Sequence, residues 1–217
     1  MSDLTDEPTS AYPTLSSELP YRSGRVIDVR ADRVEMPDGG QATRDVVVHP
    51  GAVGIIAMDD QERILLLQQY RHPVRRLLWE PPAGLLDEAG EDPLDAAKRE
   101  LYEEAHLEAD RWDVLVDAFT SPGMTDEAVR IYLARSVRAS SQPKFEAEHE
   151  EADMPTRWVP LADAVAAVLD GRIHNPLGVM GVLAANAAGA AAYRGLRSAD
   201  AAWPEMSSYP GSAKARS

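Results

Sequence analysis

Seven consecutive residues, Ala52-Val53-Gly54-Ile55-Ile56-Ala57-Met58, carry neither a charge nor a polar side chain, and a second apolar run, Ile64–Tyr70, follows after the polar break Asp59–Arg63. A strand with one face in water alternates apolar and polar residues, whereas an unbroken apolar strand must be covered on both faces. These two runs therefore call for a sheet with helices packed over it. Helices are predicted at Leu94–Ala105, entered through Asp92-Pro93, at Leu161–Leu169 and at Pro176–Tyr193. The last is so rich in alanine and glycine that it must pack closely against a neighbour.

Further strands are predicted at Val114–Phe119, Val129–Ala134 and Arg157–Val159. Val26–Met36 and Ala42–His49 flank Pro37-Asp38-Gly39-Gly40, a turn sequence, and read as a hairpin. The expected architecture is α/β, a mixed β-sheet sandwiched between α-helices, with an N-terminal β-hairpin extension. Residues 1–20, rich in Ser, Thr, Pro and acids, read as a flexible lead, 21–49 as the hairpin, 50–195 as the main domain and 196–217 as a loose tail.

Composition narrows the function. At 217 residues the chain has room for one well-buried core. Its 22 basic against 36 acidic residues give a net charge of -14, which repels nucleic acid. With no cysteine, thiolate metal sites, thiol nucleophiles and disulfides are excluded, which fits a cytoplasmic protein. Residues 1–20 are acidic where a signal peptide is basic, and no apolar run is long enough to span a membrane.

The stretch richest in chemistry is Glu80-Pro-Pro-Ala-Gly84-Leu-Leu-Asp-Glu-Ala-Gly-Glu91, then seven residues, then Arg99-Glu100-Leu101-Tyr102-Glu103-Glu104. On the predicted helix Leu94, Ala97, Leu101 and Ala105 form one stripe, while Glu100, Glu103 and Glu104 share a neighbouring face. Such crowding of like charge is unfavourable unless something cationic sits among the carboxylates. A hard divalent cation is the natural partner, and it allows an acidic protein to hold a pyrophosphate. Acidic pairs on their own are ordinarily just a solvated face; the combined pattern separates this segment from that.

The pattern resembles the Nudix box, Gly-x5-Glu-x7-Arg-Glu-U-x-Glu-Glu-x-Gly-U, in which U is a bulky aliphatic residue. It departs twice: six residues separate Gly84 from Glu91, and His106 stands in place of the second glycine. The extra residue falls in a loop, where it is tolerated. His106 falls at the helix end, where it is expected to serve as a left-handed cap and not as a catalytic group. The resemblance implies a Nudix fold, metal ligation by Glu100 and Glu104 with Glu103 auxiliary and the Ala83 carbonyl as a backbone ligand, and support of the Glu91 carboxylate by Arg99. Mg²⁺, with Mn²⁺ as substitute, is the implied cofactor.

Beyond the box, Thr43–His49 with Gly51–Val53, Gln69-Tyr70-Arg71, Trp79-Glu80-x-Pro-Ala-Gly and Ser121–Glu127 resemble the ADP-ribose pyrophosphatase subfamily. That resemblance implies a homodimer joined through the N-terminal hairpin. It makes Arg44, Arg71, Glu80 and Glu127 substrate-binding, with Arg44 and Arg71 on phosphates or sugars and Glu127 toward the terminal ribose; the plain alternative for Glu80 is a hydrogen-bonded residue supporting its loop. In the acidic run 146–153 it makes Glu151, or Glu150 one place earlier, the general base. The expected reaction is metal-dependent hydrolysis of ADP-ribose to AMP and ribose 5-phosphate. A sugar nucleotide or dinucleotide would suit the same helix, and a non-catalytic ligand sensor is the reading of another class. Neither a Gly-x-Ser-x-Gly elbow nor a phosphate-binding Gly-rich loop before Lys-Ser/Thr is present.

Overall fold

The computed structural model describes residues 13–22, 26–88, 90–143 and 154–207. It divides into one unit of residues 1–50 with 121–127 and a second of residues 51–120 with 128–217. In the first unit β1 (Thr14–Arg22), β2 (Asp28–Glu35) and β3 (Gln41–Val48) form an antiparallel sheet in that order. The expected hairpin is β2–β3. Its turn is closed by the Met36 amide donating to the Gly40 carbonyl at 2.8 Å and the Gly40 amide donating to Asp38 Oδ1 at 2.9 Å. Gly39, at φ 81°, takes the left-handed angle that the turn requires. Segment 121–127 joins through Val47, whose amide donates to the Met124 carbonyl at 2.8 Å.

Strand β1 corrects the expectation of a flexible lead where the two overlap, at residues 14–20. Its described side chains, Leu15, Leu19 and Tyr21 among them, are exposed, so no burial holds it, and its order comes from the ladder offered by the edge of β2. Residues 1–12 lie outside the described residues.

In the second unit a five-stranded sheet runs β11-β8-β9-β4-β7, built from β4 (Ala52–Ala57), β7 (Ala83–Leu85), β8 (Leu107–Phe119), β9 (Ala128–Ala139) and β11 (Arg197–Ser198). β4 and β9 are parallel and the other pairs antiparallel, so the sheet is mixed as expected. Period-two alternation divides its two faces. Val53, Ile55 and Ala57 of β4 join Ala96, Ala97 and Leu101 of α1 (Pro93–Ala105), whereas Ala52 and Ile56 join Leu161 and Ala164 of α2 (Leu161–Leu169) and Leu177, Val182 and Ala185 of α3 (Pro176–Ala190). The small residues of α3 bring it close: a methyl group on Gly181 would lie 2.7 Å from Ile56 Cδ1.

The two apolar runs do not share one sheet. β5 (Arg63–Arg71) pairs instead with β6 (Arg76–Glu80) and β10 (Thr156–Pro160), and only Ile64–Leu67 of it is fully buried. The break at Asp59 redirects the chain, because its carboxylate accepts from the Gln61 and Arg63 amides, each at 2.9 Å, and from Arg63 Nε at 2.7 Å. β8 and β9 extend well past their predicted ends. Their outer halves carry charged cross-strand pairs such as Arg135–Asp113 at 2.6 Å, which an apolar pattern does not reveal.

The expected loose tail is fastened as far as residue 207. β11 pairs with β8, Trp203 is buried, and the guanidinium of Arg130, 2% exposed, donates to the carbonyls of Ala201 and Ala202 at 2.7 and 3.2 Å. Arg130 is itself held by Asp117 at 2.8 Å and lies 4.8 Å from the Trp203 ring centroid. Leu196, Ala199, Ala201 and Met206 also pack on the core, but without a period that marks a strand or a helix.

Candidate active site

Helix α1 starts at Pro93, whose fixed φ suits a first turn, and ends at His106, which adopts φ 54° and ψ 38° and donates its amide to the Tyr102 carbonyl at 2.8 Å. His106 is thus the left-handed cap that its position required. Burial of Ala96, Ala97 and Leu101 fixes the rotation of the helix, and Glu100 and Glu104 are thereby brought against β7. Glu104 Oε2 accepts from the Ala83 amide at 2.9 Å. A Cβ on Gly84 would sit 2.0 Å from Glu100 Oε1 and 2.3 Å from its Cγ, so Glu100 occupies the space that glycine leaves open.

Arg99 binds the neighbouring carboxylates. It holds Glu91 with two parallel bonds, at 2.9 and 3.0 Å, and its Nη1 donates to Glu100 at 2.6 Å and to Glu103 at 3.1 Å. The hydrogen bond to Glu91 is the main reason this guanidinium retains its proton more firmly than an ordinary arginine, against the opposing effect of burial. The pairing with Glu91 was expected; those with Glu100 and Glu103 were not. Among the described residues no three acidic or imidazole side chains form a cage for a metal. A magnesium ion needs less, since one or two carboxylates with waters and phosphate oxygens satisfy it. Glu100 and Glu104 meet at the Ala83–Gly84 backbone, and their carboxylate oxygens are the hard ligands that fit such an ion.

Arg71 and Glu80, predicted separately, are partners across the β5–β6 hairpin. Glu80 is 1% exposed and accepts from Arg71 Nε at 3.0 and 3.1 Å and from Nη2 at 2.6 Å. In the first unit, Arg44 is exposed on β3 and donates to the Thr43 carbonyl at 3.1 Å. Glu127 Oε1 lies 3.6 Å from His49 Nδ1, and the His49 amide donates to Asp126 Oδ1 at 2.9 Å. Burial lowers the pKa of the His49 imidazole, against the upward pull of Glu127 and Asp126. Glu150 and Glu151 lie outside the described residues.

A family model described as the NUDIX domain matches residues 48–177. The chain belongs to the Nudix family. A second model, described as the nucleoside diphosphate sugar hydrolase N-terminal domain, matches residues 13–47. The ADP-ribose pyrophosphatase of Mycobacterium tuberculosis is 52% identical over 176 residues, 81% of this chain and 84% of that protein. The methanol dehydrogenase activator of Bacillus methanolicus is 36% identical over 160 residues, 74% of this chain and 85% of that protein. The crystal structure of an ADP compounds hydrolase matches with a TM-score of 0.72 at 22% identity, covering 87% of this chain and all of that one, a likeness of fold.

The Nudix box of this chain therefore spans the β7 strand, the loop bearing Glu91, and α1 with its His106 cap. The added loop residue leaves the α1 carboxylates on one side of the helix, facing β7 and Arg99. No described helix of this Nudix chain is long and apolar enough to cross a membrane.

Proposed function

We propose that this Nudix hydrolase cleaves the pyrophosphate bond of ADP-ribose, giving AMP and ribose 5-phosphate. The observation that carries the reaction type is the meeting of Glu100 and Glu104 at the Ala83–Gly84 backbone. The 52% identity to an ADP-ribose pyrophosphatase supports the substrate. We assign Glu100, Glu104 and the Ala83 carbonyl as ligands of Mg²⁺, replaceable by Mn²⁺, with Glu103 auxiliary. The bound ion would neutralise diphosphate charge and polarise phosphorus.

The chain's own groups do the rest in this reading. Arg99 keeps Glu91 and the carboxylate face in register. Arg71, aimed by the buried Glu80, presents paired donors to a phosphate, a task suited to a planar guanidinium. Arg44 and Glu127 bind the remaining phosphate or sugar groups. Glu151, or Glu150, takes the proton of the attacking water as its oxygen bonds to phosphorus and the bridging P–O bond breaks. We take the working form to be a homodimer joined through the N-terminal sheet, whose β1 exposes Leu15, Leu19 and Tyr21. The absence of cysteine suits a cytoplasmic setting.

The match of residues 13–47 favours one second reading, a sugar nucleotide as substrate. Incubation with Mg²⁺ and a panel of ADP-ribose, sugar nucleotides, dinucleotides and nucleoside triphosphates, with identification of products, separates the two. AMP and ribose 5-phosphate from ADP-ribose is the expected result. Turnover confined to another member would overturn the substrate, and Glu151→Gln with full activity would move the base to Glu150.

A further inference from the structure

The β10-β5-β6 sheet has a second face that the proposed chemistry does not use. In its register Leu67 stands opposite Glu80, Gln68 opposite Trp79, and Leu66 opposite Arg157. Because side chains alternate along a strand, Leu66, Trp79 and Arg157 share one face while Glu80 and Arg71 occupy the other. A cavity of about 600 Å³, lined among others by Leu66, Trp79, Arg157, Asp163, Arg172 and Ile173, opens on the first face against α2. Its volume lies within the range of small-molecule sites, roughly 300–1,000 Å³.

The wall has a definite chemistry. The Arg157 guanidinium carbon lies 5.2 Å from the centroid of the Trp79 ring, and among the described residues no carboxylate pairs with it. Arg157 and Trp79 thus form a cation–aromatic pair that a flat π system can join. Arg172 also lines the cavity but is neutralised by Asp170 at 3.1 Å, so Arg157 is the lining guanidinium with no carboxylate partner among the described residues, and Asp163 is the lining carboxylate. Arg157 thus sets one cation beside the apolar side chains of Leu66 and Ile173. Such a wall fits a ligand with a flat aromatic body and an anionic group, and is too large and too apolar for inorganic phosphate alone.

We propose that this cavity is a second small-molecule site that takes a nucleoside monophosphate, its base stacked on Arg157 and Trp79 and its phosphate held by guanidinium. The assignment does not depend on what the α1 carboxylates do, and its test reads binding, not hydrolysis. Indole N–H signals of the 15N-labelled full chain report on all 4 tryptophans. Trp112, bonded to the Ala109 carbonyl, and buried Trp203 serve as internal controls.

AMP should shift the Trp79 signal saturably and leave Trp112 and Trp203 in place. Adenosine, without the charge, and ribose 5-phosphate, without the ring, should each bind at least tenfold more weakly. Arg157→Ala should weaken the AMP response at Trp79 at least tenfold, while Glu104→Gln leaves it unchanged. A Trp79 signal that stays still at millimolar AMP overturns the proposal, as does an equal response in Arg157→Ala. Loss of the response in Glu104→Gln would mean that Trp79 merely senses the carboxylate site, and this too overturns it.

Discussion

Gly84→Ala should disable the site while leaving the protein folded. Gly84 does not adopt a positive φ, so its backbone tolerates a side chain; the obstacle is space. The added methyl group would lie 2.0 to 2.3 Å from three atoms of Glu100, all on a side chain that can swing away. Doing so breaks the 2.6 Å bond from Arg99, whose partners are 26% and 14% exposed. A charge-assisted bond of this kind contributes about 1.5–3 kcal/mol when buried, and partial exposure reduces it to about 1–2 kcal/mol. Replacing a strand glycine by alanine returns about 0.5–1 kcal/mol. The net loss in urea unfolding should then be about 1 kcal/mol, far below the cost of a backbone clash. Turnover should fall by at least about tenfold, equivalent to 1.4 kcal/mol, because Glu100 has left its place. Adding Glu100→Ala should then cost almost nothing more, the mark of two changes acting through one group. Full activity in Gly84→Ala, or a stability loss above about 4 kcal/mol, would refute the reasoning.

Glu104→Gln should abolish metal-dependent turnover with an unchanged circular dichroism spectrum; an active variant would remove Glu104 from the metal site. Asp117→Asn should cost about 3 kcal/mol in urea unfolding, because it leaves the buried Arg130 without its counter-charge. Burial raises the Asp117 carboxyl pKa, but bonds from Arg130 and Arg197 outweigh this and hold it below the ordinary range. Its contribution is therefore present above the unfolded value of about 3.9 and lost as pH falls through the lower folded value. Acid titration of wild type against Asp117→Asn should show this difference closing at low pH. His106→Gly should stabilise the chain by about 0.5–1 kcal/mol by relieving the left-handed cap, and thermal melting checks it.

The legible parts of the structure were those governed by local signals. Helix α1 announces itself through Pro93, its apolar stripe and its capping position, and it lies within one residue of expectation. The β2–β3 turn is written in Pro37–Gly40. What escaped reading depends on distant partners. β1 leaves Leu15, Leu19 and Tyr21 exposed and is ordered by its ladder with β2. The separation of β4 from β5 depends on a side-chain bond at Asp59, and the fastening of 197–203 depends on one buried arginine 71 residues away in sequence. Arg71 and Glu80 were each singled out, yet their pairing required the register of a hairpin whose strand β6 is short and ends beside Pro81-Pro82. The aromatic wall of Trp79 and Arg157 was hidden for the same reason.

The two arginine clusters of the site differ in what they contribute. Arg99 binds three carboxylates at 14–25% side-chain exposure, so it relieves the repulsion that crowds α1. Arg71 has no such crowding to relieve. Its partner Glu80 is 1% exposed while Arg71 itself is 42% exposed, and a buried carboxylate paired with a surface guanidinium is a weak source of stability. A hydrophobic residue at position 80 would serve the core better. The pair makes physical sense as a positioning device: Glu80 is anchored, and its bonds fix the plane of Arg71. Arg99 thus sustains the acidic helix, whereas Arg71 is held in a fixed plane by a buried carboxylate, the orientation that the proposed phosphate contact requires.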